Sequence, residues 1–307
     1  MKIKLLSLLL VAALLCGCAA PAQSVGEGYT FTDDLDRTVT VREPKRVACL
    51  LGSFAQIWQL AGGEVIATAD DAWDDLGLAL SKDCVNLGNT KELSLELLLS
   101  AKPDFILASA NTRQNLEWME TLDAAKIPTT YFDVSDFADY LRLLELCTHI
   151  TGRTDLYETN GLAVQRQIEA VLEQAQSRDN APTVLCMRAS ASSVTVKNSE
   201  DNVLGEMLRS LGCVNIADSD SSLLENLSME RILQADPDYI FIVQRGDDAE
   251  GMKRYVETMM AENPAWQRLT AVQEGRLHFM DKNLYNLKPN HRWGEAYEKL
   301  EEILENG

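Results

Sequence analysis

A fifteen-residue pattern that occurs twice constrains this chain more than any other feature. Residues 93–107 read Leu-Ser-Leu-Glu-Leu-Leu-Leu-Ser-Ala-Lys-Pro-Asp-Phe-Ile-Leu, and residues 227–241 read Leu-Ser-Met-Glu-Arg-Ile-Leu-Gln-Ala-Asp-Pro-Asp-Tyr-Ile-Phe, a constant offset of 134. In each copy a serine (Ser94, Ser228) stands where a helix N-cap belongs, and a glutamate (Glu96, Glu230) follows in the first turn, at the positive end of the helix dipole. Ala-x-Pro-Asp then stops the helix. An apolar run follows, Phe105 to Leu107 in one copy and Tyr239 to Val243 in the other, as expected for a strand buried on both faces. A helix-to-strand unit used twice, so far apart, predicts two similar α/β lobes.

The chain of 307 residues is long enough for two such lobes, and 46% of it is hydrophobic, enough to fill a core in each. Acidic side chains outnumber basic ones 47 to 28, giving a net charge of −19 that repels nucleic acid and anionic headgroups. Cys16 and Cys18 fall in the N-terminal stretch. Cys49, Cys84, Cys147, Cys186 and Cys213 are scattered with no Cys-x-x-Cys spacing, so neither a zinc site nor a disulfide framework is expected, and a single disulfide stays open.

Residues 1–18 begin basic (Lys2, Lys4) and run apolar from Leu5 to Leu15, which reads as a secretory leader, too short to span a membrane comfortably. Residues 19–28 are small and polar, a flexible tether. The first lobe is read over 29–153. Tyr29 to Val41 alternates as a hairpin, and strands Val47 to Leu51, Val65 to Ala67, Phe105 to Leu107 and Thr129 to Phe132 alternate with helical stretches, the pattern of a mainly parallel sheet. Residues 154–178 hold no proline and one glycine, Gly161; the 155–177 stretch as one helix would be roughly 34 Å long, enough to bridge two lobes. The second lobe is read over 179–307. It starts with strand Thr183 to Met187, repeats the Val65 to Ala67 pattern at Val214 to Ala217, and ends with strand Leu277 to Met280, a loop from Asp281 to Arg292 and an amphipathic helix from Trp293.

With these elements in place, the chain resembles the solute-binding lipoproteins of ABC importers that carry ferric siderophores, haem or cobalamin. The resemblance covers residues 29–305 and is carried by the hairpin before Arg46-Val47, the twin Ser-x-Glu…Pro-Asp segments and the ending Lys288-Pro289-Asn290-His291-Arg292-Trp293-Gly294-Glu295-Ala296-Tyr297. One departure is Asp36, where the hairpin turn of that family commonly has glycine; aspartate tolerates the left-handed conformation, so the turn survives. The resemblance implies an α/β fold of two lobes joined by one rigid helix, with a ligand cleft between them. It implies capture of an iron chelate, with no permanently bound cofactor, by a monomer that delivers it to an ABC permease dimer with its ATPase. The end of the leader resembles a lipobox, which makes Cys18, after Gly17, the site of lipid attachment and holds the protein outside the cytoplasm on the membrane. Glu96 and Glu230 would each face arginines of one permease subunit; simple helix capping is the other reading.

Open parallel sheets present ligand contacts in the loops at the C-terminal ends of their strands. By that rule Ser53, Phe54, Trp73 and Asn111 with Thr112 belong to the site in the first lobe, and Arg188 with Ser190, Gln244 with Arg245, and Asn283 to Tyr285 in the second. Arg188 and Arg245 follow apolar strands in an acidic chain, where a guanidinium pairs well with carboxylate, catecholate or hydroxamate oxygens. Salt bridges to Asp218 or Asp220 are their alternative role. His149 lies in a helix pattern and His278 in a strand, while His291 shares the ligand-side loop with Tyr285, a pair that could offer a haem axial ligand. No G-x-S-x-G, H-E-x-x-H, P-loop or G-x-G-x-x-G occurs, so catalysis is not expected, although such two-lobed folds also host a surface chelatase or metal-cluster enzyme. A ferric siderophore is expected ahead of haem and cobalamin.

Overall fold

Each copy of the repeated pattern folds as a short helix, a stop and a strand in the computed structural model, which describes residues 28–178, 180–200 and 202–306. The leader and most of the tether, with Cys18, lie outside these residues. The Ser94 side chain accepts the Leu97 N–H and caps helix Leu95–Ser100, and Ser228 does the same for Arg231 on helix Met229–Ala235. The aspartate after the proline has a task the sequence pattern does not announce. Asp104 accepts the backbone N–H groups of Lys45 and Arg46 at 2.9 and 2.8 Å, and Asp238 accepts the N–H and hydroxyl of Thr183, both at 2.8 Å. In each lobe, therefore, the carboxylate that begins one strand fastens the start of the strand beside it.

The first strands, β1 (Tyr29–Thr32) and β2 (Thr38–Val41), form the expected antiparallel hairpin, with Asp36 at φ 57° in its turn. β3 (Val47–Cys49), β4 (Val65–Thr68), β5 (Val85–Asn86), β6 (Phe105–Ser109) and β7 (Thr129–Phe132) make a parallel sheet in the order β5-β4-β3-β6-β7. In the second lobe β8 (Thr183–Ser190), β9 (Ser193–Lys197), β10 (Val214–Asn215), β11 (Tyr239–Gln244) and β12 (Leu277–Met280) follow. Their parallel order is β10-β8-β11-β12, with β9 antiparallel on β8. The two orders share one logic: the chain leaves the central strand (β3 or β8) on one side and returns on the other.

A second correspondence reinforces the first. The Asp71 carboxylate accepts the N–H of Gly52, and Asp218 accepts that of Ser199, each nineteen residues earlier in its lobe, at 2.9 and 2.7 Å. Gly52 is required at its position, since a Cβ there would lie 2.6 Å from the backbone nitrogen of Ala72.

Two segments depart from the sequence-based expectation. The stretch after Met187, expected as a loop, continues β8 to Ser190 and turns back as β9, whose Val194, Thr195 and Val196 favour a pleated strand. Val214 to Ala217 is a strand only over its first two residues, because the Asn215 side chain accepts the Ala217 N–H and starts a helical turn, Ile216–Ser219.

Between the lobes the chain is helical from Thr154 to Ala175, interrupted by a π-turn at Glu158–Leu162. Gly161 sits in this turn, where a Cβ would come within 2.8 Å of Leu141, and the Tyr140 hydroxyl donates to the Asn160 carbonyl inside it at 2.7 Å. Helix Ala163–Ala175 packs on the last helix, Trp293–Asn306, burying Val164, Ile168 and Val171 on one and Trp293, Ala296 and Leu300 on the other. Phe105 of the first sheet, Tyr140, Ile168, Phe241 of the second sheet and Trp293 belong to one contiguous core. The lobes therefore share apolar packing as well as a connecting helix.

Because Asp238 satisfies both a backbone donor and a hydroxyl at a half-buried site, Asp238→Ala is expected to lower unfolding stability by roughly 1.5–3 kcal/mol. Urea denaturation checks this; a loss within error of zero would show that strand register does not depend on the carboxylate.

Candidate ligand-binding cleft

Crossing from one side of the central strand to the other leaves a crevice at the C-terminal strand ends, between β3 and β6 in one lobe and between β8 and β11 in the other. The two crevices face each other, as contacts across the lobes record. Asn290, fully buried and at φ 54°, donates from its amide to the Ser53 carbonyl at 3.1 Å and to Gln56 Oε1 at 2.7 Å. The Phe137 and Trp293 rings meet edge-on with centroids 6.3 Å apart. Lys282, just after β12, brings Nζ to 2.6 Å from Asp75 Oδ1 of the first lobe while also bonding Asp247 of its own. A concavity of about 900 Å³ lined by Val47, Gly62, Gly63, Glu64 and His149 lies at the opposite, N-terminal strand ends and has no part in this crevice.

The expected site residues divide into those near this crevice and those beneath it. Ser53 is half-buried at the start of helix Gly52–Leu60, Trp73 is half-buried on the turn Asp71–Asp74, and Asn111 is exposed just past β6. Phe54 corrects the expectation: it is 1% exposed and packs in the core, because with Ile57 and Trp58 it forms the sheet-facing side of its helix. Tyr285 is corrected too. At 2% exposure its hydroxyl donates to the Ala296 carbonyl at 3.0 Å, and burial pushes the phenol well above its usual range. His291 is exposed without it, so the two do not form a pair on the ligand side.

Arg188 lies within β8, opposite Thr195 of β9, and is half-buried; the Ser190 and Ser193 hydroxyls share a bond of 2.9 Å in the same hairpin. Arg245 is exposed directly after β11 and has no ion pair within 4 Å among the described residues. The acids that could have neutralised it are otherwise engaged: Asp218 binds the Ser199 N–H, and Asp220 pairs with Arg231 at 3.7 Å. Sequence reasoning missed Asp75, Asp247, Lys282 and Asn290. No local signal in the sequence could have found them, because each meets its partner from a distant part of the chain.

Charges from the first lobe dominate one wall. Burial raises the Asp71 carboxyl to about 6, with Asp75 and Asp70 adding repulsion and the Gly52 N–H opposing it. Lys288 extends from the second-lobe loop towards these acids; burial lowers its pKa, against the pull of Asp133, Asp139 and Asp71. The arrangement sets an acidic wall in the first lobe against a second lobe that offers guanidinium and ammonium groups.

Two parallel-sheet lobes joined by one helix, with their crevices opposed, define a two-lobed solute-binding protein. The chain belongs to the periplasmic binding protein family, whose model matches residues 47–284. It is 27% identical over 300 residues to the Fe(3+)-citrate-binding protein YfmC of Bacillus subtilis, covering 92% of this chain and 90% of that protein. It is 22% identical over 306 residues to the putative ABC transporter substrate-binding lipoprotein YhfQ of the same organism, covering 92% and 91%. The siderophore-binding protein BauB, solved with two molecules of acinetobactin and ferric iron, superposes with a TM-score of 0.71 at 17% identity, covering 90% of this chain and 98% of that one.

The raised Asp71 pKa has a definite sign. Its neutral form is favoured in the folded state, so its stabilising contribution is complete below the unfolded carboxyl value and is lost as pH rises through about 6. Asp71→Asn, which keeps an acceptor for Gly52, should therefore raise stability at pH 8 by on the order of 2–3 kcal/mol and change little near pH 4. Thermal melts at the two pH values check it; equal shifts at both would remove Asp71 as the titrating group.

Proposed function

We propose that this protein captures a ferric chelate outside the cytoplasm and hands it to an ABC permease with its ATPase, without chemical change to the ligand and without a permanently bound cofactor. The observation that carries the reading is Arg245, an exposed guanidinium with no acidic partner within 4 Å among the described residues, set at a second-lobe strand end in a chain of net charge −19. A cation left unneutralised in so acidic a protein favours oxyanions, which ferric citrate and siderophores supply. Ser53, Trp73, Asn111, Arg188 and Ser190 complete the proposed contact set. A ferric siderophore or carboxylate chelate ranks ahead of haem because the Tyr285 phenol is buried and already donating.

Titrating the protein with ferric citrate, ferric siderophores, haemin and cobalamin, followed through tryptophan fluorescence, tests this. Tight binding of an oxyanionic iron chelate is expected, and Arg245→Ala should weaken it roughly tenfold, about 1.4 kcal/mol. Selective binding of haemin or cobalamin would overturn the ranking, and no binding of any chelate would overturn the reading.

We also propose a leader over residues 1–18, lipid attachment at Cys18, a tether over 19–28, lobes over 29–153 and 179–307 about the helix 154–178, and a monomeric protein that docks through Glu96 and Glu230. Both glutamates are exposed on first helical turns, one per lobe, with no ion pair within 4 Å among the described residues. Iron-uptake assays in cells separate these roles. Cys18→Ala should release the protein from the membrane, and a double Glu96→Lys, Glu230→Lys variant should abolish uptake while binding its chelate as before. Normal uptake by the double variant would leave the glutamates as helix caps.

A further inference from the structure

The cation most firmly placed in the cleft is Lys282. It follows β12, so it belongs to the same tier of strand ends as Arg245. Its ammonium, with the side chain 16% exposed, lies between Asp75 of the first lobe at 2.6 Å and Asp247, which follows β11. Burial alone would lower its pKa, but the hydrogen bonds to Asp247 and Asp75 outweigh that and raise it, so it is charged throughout the physiological range. The two carboxylates differ. Asp247 is 84% exposed and comes from Lys282's own lobe, whereas Asp75 is 23% exposed and reaches across the cleft.

A lysine bridged in this way has two possible consequences. A purely structural bridge would hold the lobes together, and every ligand would feel its loss alike. An exchangeable bridge would give up Asp75 to a ligand oxyanion, because the lobes are already joined by the helix, by the shared core and by Asn290, and do not depend on this pair. The position at the strand ends, the residual exposure of the side chain and the acidic first-lobe wall, in which a charged Asp75 repels the Asp71 carboxylate, favour exchange.

We propose that Lys282 is a specificity-determining contact for oxyanionic ferric chelates, and that Asp75 is its built-in competitor: an anionic chelate binds by replacing the Asp75 carboxylate on the Lys282 ammonium, whereas a neutral chelate cannot. The inference rests on the chelate-binding reading of the cleft.

The test is a double-mutant cycle read with two probes, ferric citrate as the anionic chelate and a neutral ferric trihydroxamate. Asp75→Asn should tighten ferric citrate binding about three- to tenfold, and Lys282→Gln should weaken it by about tenfold or more, while either change moves the trihydroxamate by less than about twofold. In the double variant the gain from Asp75→Asn should vanish, because the cation it frees is gone. The salt dependence of ferric citrate binding should fall in Lys282→Gln, a readout that a role in folding alone would not move. Changes of the same sign in both single variants, or equal effects on the two probes, would overturn the assignment and leave a structural bridge. Failure of the wild-type protein to bind either probe or any other iron chelate would overturn the chelate-binding reading and this assignment with it.

Discussion

Two carboxylates, Asp104 and Asp238, hold neighbouring strands at a common starting line, and the rest of the architecture follows from that alignment. Parallel strands are evenly hydrogen-bonded along their length and gain little intrinsic register from the ladder itself. By accepting the N–H groups of Lys45 and Arg46 in one lobe and of Thr183 in the other, the aspartates set where β3 and β8 begin relative to β6 and β11. The C-terminal ends of the same strands then lie close in register, with β6 running on past β3 and β8 past β11, and form the floor of the crevice. The proline before each aspartate ends the helix in time for the chain to turn into the strand. Arg46 completes the first-lobe arrangement by donating to the Lys102 and Ala101 carbonyls at the end of the repeat helix.

The sheets and the repeat were legible because their signals are local. Apolar runs bounded by proline, glycine or aspartate became β3, β4, β6, β7, β11 and β12, and the serine caps of both repeat helices stand where the pattern put them. What escaped depends on partners distant in the chain. Lys282 and Asp75 are separated by 207 residues, and nothing near either one announces the other. Phe54 and Ser53 are neighbours in sequence, but helical periodicity sends one into the core and leaves the other near the cleft. Arg188 directly follows the apolar run Thr183 to Met187 and so reads as a strand-end residue, and only the pairing with β9 shows it to be within a strand. Tyr285 illustrates the limit of reasoning from position alone: it lies in the right loop and points the wrong way.

Charge is divided unevenly between the walls of the cleft. The first lobe contributes carboxylates, one of them disfavoured enough by burial to hold a proton near pH 6, and the second contributes Arg245, Lys282 and Lys288. If these groups line the ligand site as proposed, such a division would orient a charged ligand before close contact, attracting one of its faces to one lobe and repelling it from the other. It also attracts the lobes to each other in the absence of ligand.

The π-turn at Glu158–Leu162 carries a geometric consequence. An α-helix advances about 100° around its axis per residue, so the additional residue accommodated by a π-turn changes the angular phase of everything after it. The face of Ala163–Ala175 that meets the final helix, and with it the azimuth of the whole second lobe about the connecting axis, is therefore set by a single inserted residue held open by Gly161 and by the Tyr140 hydroxyl. The mutual aim of the two crevices is in this sense a matter of counting: one residue fewer in that turn, and the walls of the cleft would face different directions.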